Sequence, residues 1–143
     1  MKNALAHPFR RHQRGAIVLA AAGFAFVATN AHAEWYLVAR DQNVRVYVDN
    51  QLIQRQGDRA QMLQITDFVI AQWADAQTAI GSLKTLIEYD CRQPRSRALS
   101  VTAYSEQMGE GKLVATEKLA DPPWMDNALG TTAEKLRQIA CGK

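Results

Sequence analysis

The sequence predicts an α+β domain in which an antiparallel β-sheet of about six strands, arranged as a meander, carries one C-terminal helix. Three observations support this fold class. Apolar and polar residues alternate over much of 35–120, turn-forming residues separate the alternating segments, and a helical pattern with a capping sequence appears only after residue 130. A single sheet covered on one side by a helix satisfies all three.

The alternation defines the strands and their faces. Val44, Val46 and Val48 share one side of an extended segment. A second segment has one mostly apolar side, which consists of Leu83, Thr85, Ile87, Tyr89 and Cys91. With the turn residues as boundaries, the sequence predicts strands at 35–40, 43–49, 59–70, 83–92, 96–105 and 112–119. Two interpretations of 71–80 stay open: a short helix, or the loop between adjacent strands.

The last segment predicts the helix. Thr131 and Glu134 have the spacing of a capping box, in which both side chains satisfy free backbone N–H groups. The pattern predicts an apolar stripe of Ala133, Leu136, Ile139 and Ala140, with Lys135, Arg137 and Gln138 turned outward. Because so short a helix is marginal alone, we expect it to pack on the apolar face of the sheet.

The first 33 residues have the features of a cleaved export signal. Basic residues precede an apolar segment at 16–28, and 29–33 ends in the small-residue pattern that signal peptidase recognises. A helix of that length is about 20 Å long, whereas the bilayer core is about 30 Å thick. We therefore expect a domain at 34–143 that lies in the periplasm, on the outer cell surface or outside the cell, with no stable membrane span.

Cleavage of this segment changes which functions the composition favours. The chain has 17 Lys and Arg against 14 Asp and Glu, and four of the bases lie in 1–33, which leaves the domain with a net charge of −1. This balance argues against a nucleic-acid partner. All three histidines also lie in 1–33. Since the domain lacks the commonest general base and a leading metal ligand, we expect no catalytic site, no metal and no cofactor.

The domain keeps two cysteines, Cys91 and Cys141. An even number of cysteines in an exported protein predicts a disulfide. Cys91 ends the apolar face of a strand, and Cys141 ends the helix that needs this face. A metal site requires more ligands, and a nucleophilic cysteine requires a neighbouring base, whereas only arginines follow Cys91. The sequence therefore predicts a structural disulfide that tethers the helix to the sheet.

Several short motifs occur in a distinctive order. A tryptophan-led strand at 34–38 is followed by Glu-Tyr-Asp-Cys at 88–91, an arginine-flanked strand at 95–104, Trp124 in a loop, Gly-Thr-Thr-x-Glu at 130–134, and Cys141. This order resembles the surface-adhesin protein E-like domain family, whose members are exported proteins of Gram-negative bacteria. The resemblance covers essentially the whole domain. It implies a disulfide-tethered helix on an antiparallel sheet, binding of host matrix proteins and a tendency to form homodimers, and it brings no catalytic residues.

Three interpretations of function remain. The first is a non-enzymatic exported domain that binds a protein or glycan partner at the cell envelope or on a host surface. The second is a periplasmic structural or accessory module without an adhesive role. A third interpretation, a hydrolase that uses Glu88 and Asp90, is weaker because arginines on neighbouring strands are placed to neutralise both carboxylates.

The candidate binding surface consists of exposed aromatic and arginine side chains. Guanidinium groups bind sulfate, phosphate and carboxylate groups in a forked geometry, and tyrosine is common at binding sites. On these grounds we expect a surface that contains Arg45, Tyr47, Arg92, Arg95 and Arg97. The competing interpretation of the arginines is a solvated strand face held by ion pairs. Trp124 is expected at the edge where the helix meets the sheet.

Overall fold

The alternating segments form an eight-stranded antiparallel sheet in the computed structural model, which describes residues 34–143. The strands are β1 Trp35–Arg40, β2 Val44–Asp49, β3 Gln54–Gln56, β4 Arg59–Trp73, β5 Ala79–Asp90, β6 Arg95–Tyr104, β7 Leu113–Lys118 and β8 Met125–Asp126, and helix α1 is Thr132–Cys141. The predicted signal segment 1–33 lies outside the described residues. Within 34–143, no helix is long and apolar enough to cross a membrane.

The six predicted strands form the main path of the sheet, in the order β1-β2-β4-β5-β6-β7. The sequence did not indicate β3 and β8, which have three and two residues and pair with the starts of β4 and β6. Strands this short contain too few residues to display alternation. The fold class is confirmed, with two short strands added.

The segment 71–80 belongs mainly to a long hairpin rather than to a helix. β4 continues to Trp73 and β5 begins at Ala79, so only 74–78 form the loop between adjacent strands. The pairing is irregular in the middle, because Asp67 pairs with Ser82 and the next pair is Gln72 with Ile80. The additional β4 residues form a bulge, which the sequence pattern did not reveal.

Helix α1 covers one face of the sheet, called here the helix face. The core between them contains Val46, Val48, Ala60, Met62, Tyr89, Leu136 and Ala140. Residues that alternate with these strand positions lie on the opposite side, called here the open face. Cys91 and Cys141 form the predicted disulfide, with their Cα atoms 5.5 Å apart. The valine face, the Ile87–Tyr89 face and the tether are all confirmed.

The prediction of the helix surface was wrong at Ala133, which is exposed, and at Arg137, which is buried. The Arg137 guanidinium donates to both carboxylate oxygens of Glu134, at 2.7 and 2.8 Å, and to the carbonyl oxygen of Asp90 at 3.2 Å. The capping box is only half formed, because Thr131 Oγ1 accepts from the Glu134 N–H at 3.3 Å while the Glu134 carboxylate turns to Arg137. Burial is possible because the pair neutralises its own charge.

Candidate binding surface

Within residues 34–143, no second layer covers the open face, but loops cross both of its ends. At the first end, the loop 105–111 is fixed to the sheet. The Met108 N–H donates to Asp67 Oδ1 at 2.7 Å, and the Ser82 hydroxyl donates to the Glu106 carbonyl at 2.6 Å. Gly81 permits this approach, since an added Cβ would lie 2.6 Å from the Glu106 carbonyl carbon. The loop therefore covers one end of the open face and leaves the middle uncovered.

At the other end, three arginines surround Trp124. The Trp124 ring centre lies 4.4 Å from the guanidinium carbon of Arg59, 5.0 Å from that of Arg95 and 4.5 Å from that of Arg97. Cation–π attraction holds such groups together. We call these four residues the arginine–tryptophan cluster. By strand alternation they lie on the open face, so the prediction that Trp124 sits where the helix meets the sheet was wrong.

Two carboxylates fix the arginines in place. Asp90 lies between Arg59 and Arg95 in the sheet, and its Oδ2 is 2.7 Å from Arg59 Nη1 and 2.9 Å from Arg95 Nη2. The Arg59 contact is a close ion pair without the alignment of a hydrogen bond. Two residues earlier on β5, Glu88 pairs with Arg97 on β6, and Glu88 Oε2 lies 2.8 Å from Arg97 Nη2. The guanidinium planes are thus held before any partner arrives.

The environment of Asp90 keeps it ionised. Burial alone would favour the neutral acid, but the backbone N–H groups of Arg92 and Gln93 donate to Oδ1, and Arg95 and Arg59 face Oδ2. Together these donors and charges lower the pKa of Asp90 from 3.8 to about 2. Because these partners occupy both carboxylate oxygens, the geometry does not support Asp90 as a general acid.

A shallow groove runs across the uncovered middle of the open face. Two adjoining depressions, of about 620 Å³ and about 350 Å³, share Gln54 and Gln61. The first is lined by polar side chains such as Arg59 and Glu88, and the second by Leu52, Leu63 and Leu86. We call both together the open-face groove. The groove therefore has a polar strip beside an aliphatic strip.

The predicted binding residues lie on β2, on β6 and in the turn between β5 and β6. Arg95 and Arg97 join the arginine–tryptophan cluster. Arg92 is exposed in the turn after β5, where it pairs with Asp58 at 3.3 Å. Arg45 and Tyr47 lie on β2, in register with Asp67 and Ile65, and do not line the groove.

Neither Arg59 nor the groove was predicted from the sequence. Arg59 becomes significant only when strand register places it beside Asp90 and Arg95. The sole sequence signal was the predicted strand itself, whose polar side includes Arg59 and Gln61. Among residues 34–143, no group of three or more His, Cys, Asp or Glu side chains is placed to hold a metal ion.

Comparison with known proteins gives a family and a fold. The family model described as surface-adhesin protein E matches residues 35–142. Crystal form II of Haemophilus influenzae protein E superposes with a TM-score of 0.63 at 15% identity, over 80% of this chain and 91% of that one. Another Haemophilus influenzae protein E structure gives 0.61 at 15% identity, over 80% and 88%. Protein E from non-typeable Haemophilus influenzae superposes with a TM-score of 0.57 at 16% identity, over 80% of this chain and 79% of that one. No curated protein sequence matches significantly.

Proposed function

The chain belongs to the surface-adhesin protein E family, and on this premise we propose that it is an exported, non-enzymatic interaction domain. Its partner is a protein or glycan at the cell envelope or on a host surface, bound through the open-face groove and the arginine–tryptophan cluster. Residues 1–33 act as the cleaved signal that brings the domain to the periplasm and beyond.

One observation carries the proposal: the helix packs on one face of the sheet and not on the other. Helix α1, tethered by the disulfide, packs on the helix face over Val46, Met62 and Tyr89. Within the described residues, the middle of the open face stays accessible beside three guanidinium groups that are already oriented. Binding is stronger when the groups that make contact are fixed beforehand, because less side-chain entropy is lost. The proposed surface keeps Arg95 and Arg97 and adds Arg59, Trp124 and the groove.

The first test locates the domain. Protease is added to intact cells, with a known periplasmic protein as the internal control. Digestion of this protein while the control stays intact supports the role at the cell surface. Protection of both proteins until the outer membrane is opened contradicts surface adhesion and favours the alternative, a periplasmic structural or accessory module.

The second test asks whether the groove binds. Immobilised matrix proteins and a glycan array are screened with the exported protein, and each positive is titrated against two variants. Leu52→Asp places a charge in the groove at a side chain that is 57% exposed, and Leu129→Asp does the same at a side chain that is 84% exposed outside it. We expect at least a tenfold loss of affinity for Leu52→Asp and less than a twofold change for Leu129→Asp. Equal affinities would refute the groove as the binding site.

The same preparation tests self-association, which the family resemblance predicts. Light scattering coupled to size-exclusion chromatography gives the mass of the exported protein directly. A mass of twice the domain supports a homodimer, and a mass of one domain across the accessible concentration range contradicts it.

A further inference from the structure

The tip of the β4–β5 hairpin, residues 69–80, exposes large apolar side chains that the proposed binding surface does not use. Ile70 is 76% exposed, Trp73 is 65% exposed and Val69 is 39% exposed. Asp75 is the single charged residue in 68–81. Leu113, which is 63% exposed, borders a depression shared with Gln77 and Ala79 at the side of this tip. Exposed apolar residues grouped in this way mark an interaction site.

Several polar groups at the end of the tip are satisfied within the hairpin. The Ala74 N–H donates to the Thr78 carbonyl at 2.9 Å. The two carboxylate oxygens of Asp75 accept from the Gln77 N–H and the Thr78 hydroxyl, each at 2.9 Å. A backbone that satisfies its own hydrogen bonds can enter a medium poor in water at low cost. The tip is therefore suited to partial burial in lipid.

The size of the patch argues against a protein partner. The exposed parts of Val69, Ile70 and Trp73 amount to roughly 300 Å², whereas a specific protein interface uses about 800 Å² from each partner, of which roughly 450 Å² is apolar. Shallow insertion into a membrane has no such minimum, because every apolar side chain that leaves water contributes. Tryptophan is also the residue most characteristic of the membrane interface.

The charges near the tip indicate which lipids it meets. Asp75 is negative, Lys112 borders the same depression as Gln77, and Glu106 lies against Gly81. No basic excess is present to attract an anionic membrane. The two carboxylates and the one ammonium beside the apolar patch are instead complementary to headgroups that carry both an ammonium and a phosphate.

We propose that the hairpin tip inserts Ile70 and Trp73 into the interfacial layer of a zwitterionic phospholipid membrane. Trp73 pairs with Ala79 directly beside the loop 74–78, so the end of the hairpin enters the lipid first. Asp75 stays among the headgroups, where Lys112 reaches the phosphates. This membrane contact is separate from the open-face groove and goes beyond the proposed partner binding.

The test measures partition of the exported protein onto phosphatidylcholine vesicles by co-sedimentation. The amino terminus is first determined by mass spectrometry, so that the apolar segment 16–28 is known to be absent. Ile70→Ser/Trp73→Ser is the test variant and Leu129→Ser the matched control. We expect the partition coefficient to fall at least tenfold for the double variant and to change less than twofold for the control. Unchanged far-UV circular dichroism excludes misfolding, because all three side chains are exposed.

Tryptophan fluorescence supplies a second readout. We expect vesicles to shift the wild-type emission to shorter wavelength, and Trp73→Phe to abolish the shift, because Trp35 and Trp124 remain outside the lipid. Adding one quarter phosphatidylglycerol should leave partition unchanged or weaken it. Absence of wild-type binding, equal binding of the double variant, or binding that requires the anionic lipid would overturn the proposal.

Discussion

Replacement of both cysteines, as Cys91→Ala/Cys141→Ala, tests how far the tether stabilises the domain. The disulfide joins residues 50 positions apart. In the chain-entropy model, opening a loop of this length lowers the free energy of unfolding by about 4 kcal/mol. The loss is large beside the roughly 5 to 15 kcal/mol that stabilises a typical domain. Leu136 and Ala140 continue to pack on Tyr89, so we expect the double variant to fold.

The measurement is urea unfolding followed by circular dichroism. With a slope of about 1.5 kcal/mol per molar urea, a loss of about 4 kcal/mol lowers the midpoint by roughly 2 to 3 M. The wild-type protein under reducing conditions is the control, and its curve should nearly superimpose on that of the variant. A shift of less than about 0.7 M would refute the reasoning, because it would mean that the unfolded chain gains little freedom when the loop is opened.

Three further substitutions test other parts of the structure. Arg137→Ala leaves the buried Glu134 carboxylate without its partner and should lower the free energy of unfolding by about 3 kcal/mol, whereas Arg137→Met/Glu134→Gln should restore most of it in the same urea assay. Because the folded pKa of Asp90 is about 2 and its ordinary value is 3.8, its contribution is complete above pH ~4 and is lost as the pH falls through ~2. Thermal melts of the wild type should therefore fall more steeply over this range than those of Asp90→Asn, and parallel curves would contradict the assignment. Gly81→Ala forces a Cβ against the Glu106 backbone and should cost about 1 to 3 kcal/mol, and an unchanged melting temperature would show that the loop moves freely.

Patterns within a single segment predicted most of the fold. Alternation at Val46 and Val48 identified the face that the helix covers, because side chains of an extended chain point to opposite sides whatever the strand pairs with. The same logic placed Tyr89 in the core. The disulfide was predictable because an exported protein with an even number of cysteines usually pairs them. Cys91 and Cys141 are the only two cysteines in the sequence, so each can pair only with the other.

The candidate site was less predictable, because its residues meet only through pairing. Arg59 and Arg95 lie beside Asp90 as a consequence of strand register, and a shift of one residue would have turned each to the other face. Trp124 reaches them through a loop whose path depends on the finished sheet. The outward prediction for Arg137 failed for a related reason: helical periodicity does not show that a carboxylate three residues earlier and a strand carbonyl will satisfy a buried guanidinium.

The sequence by itself determined the class of fold, the faces of its strands, the partner of each cysteine and the location of the helix, since each depends on residues that are neighbours in the chain or have a single partner available. The tertiary structure alone decided where the open-face groove runs, how the arginines are fixed around Trp124, and that the β4–β5 hairpin extends into an apolar tip. These features depend on register, bulges and loop paths, which are set by contacts between distant segments and leave no periodic signal in the sequence.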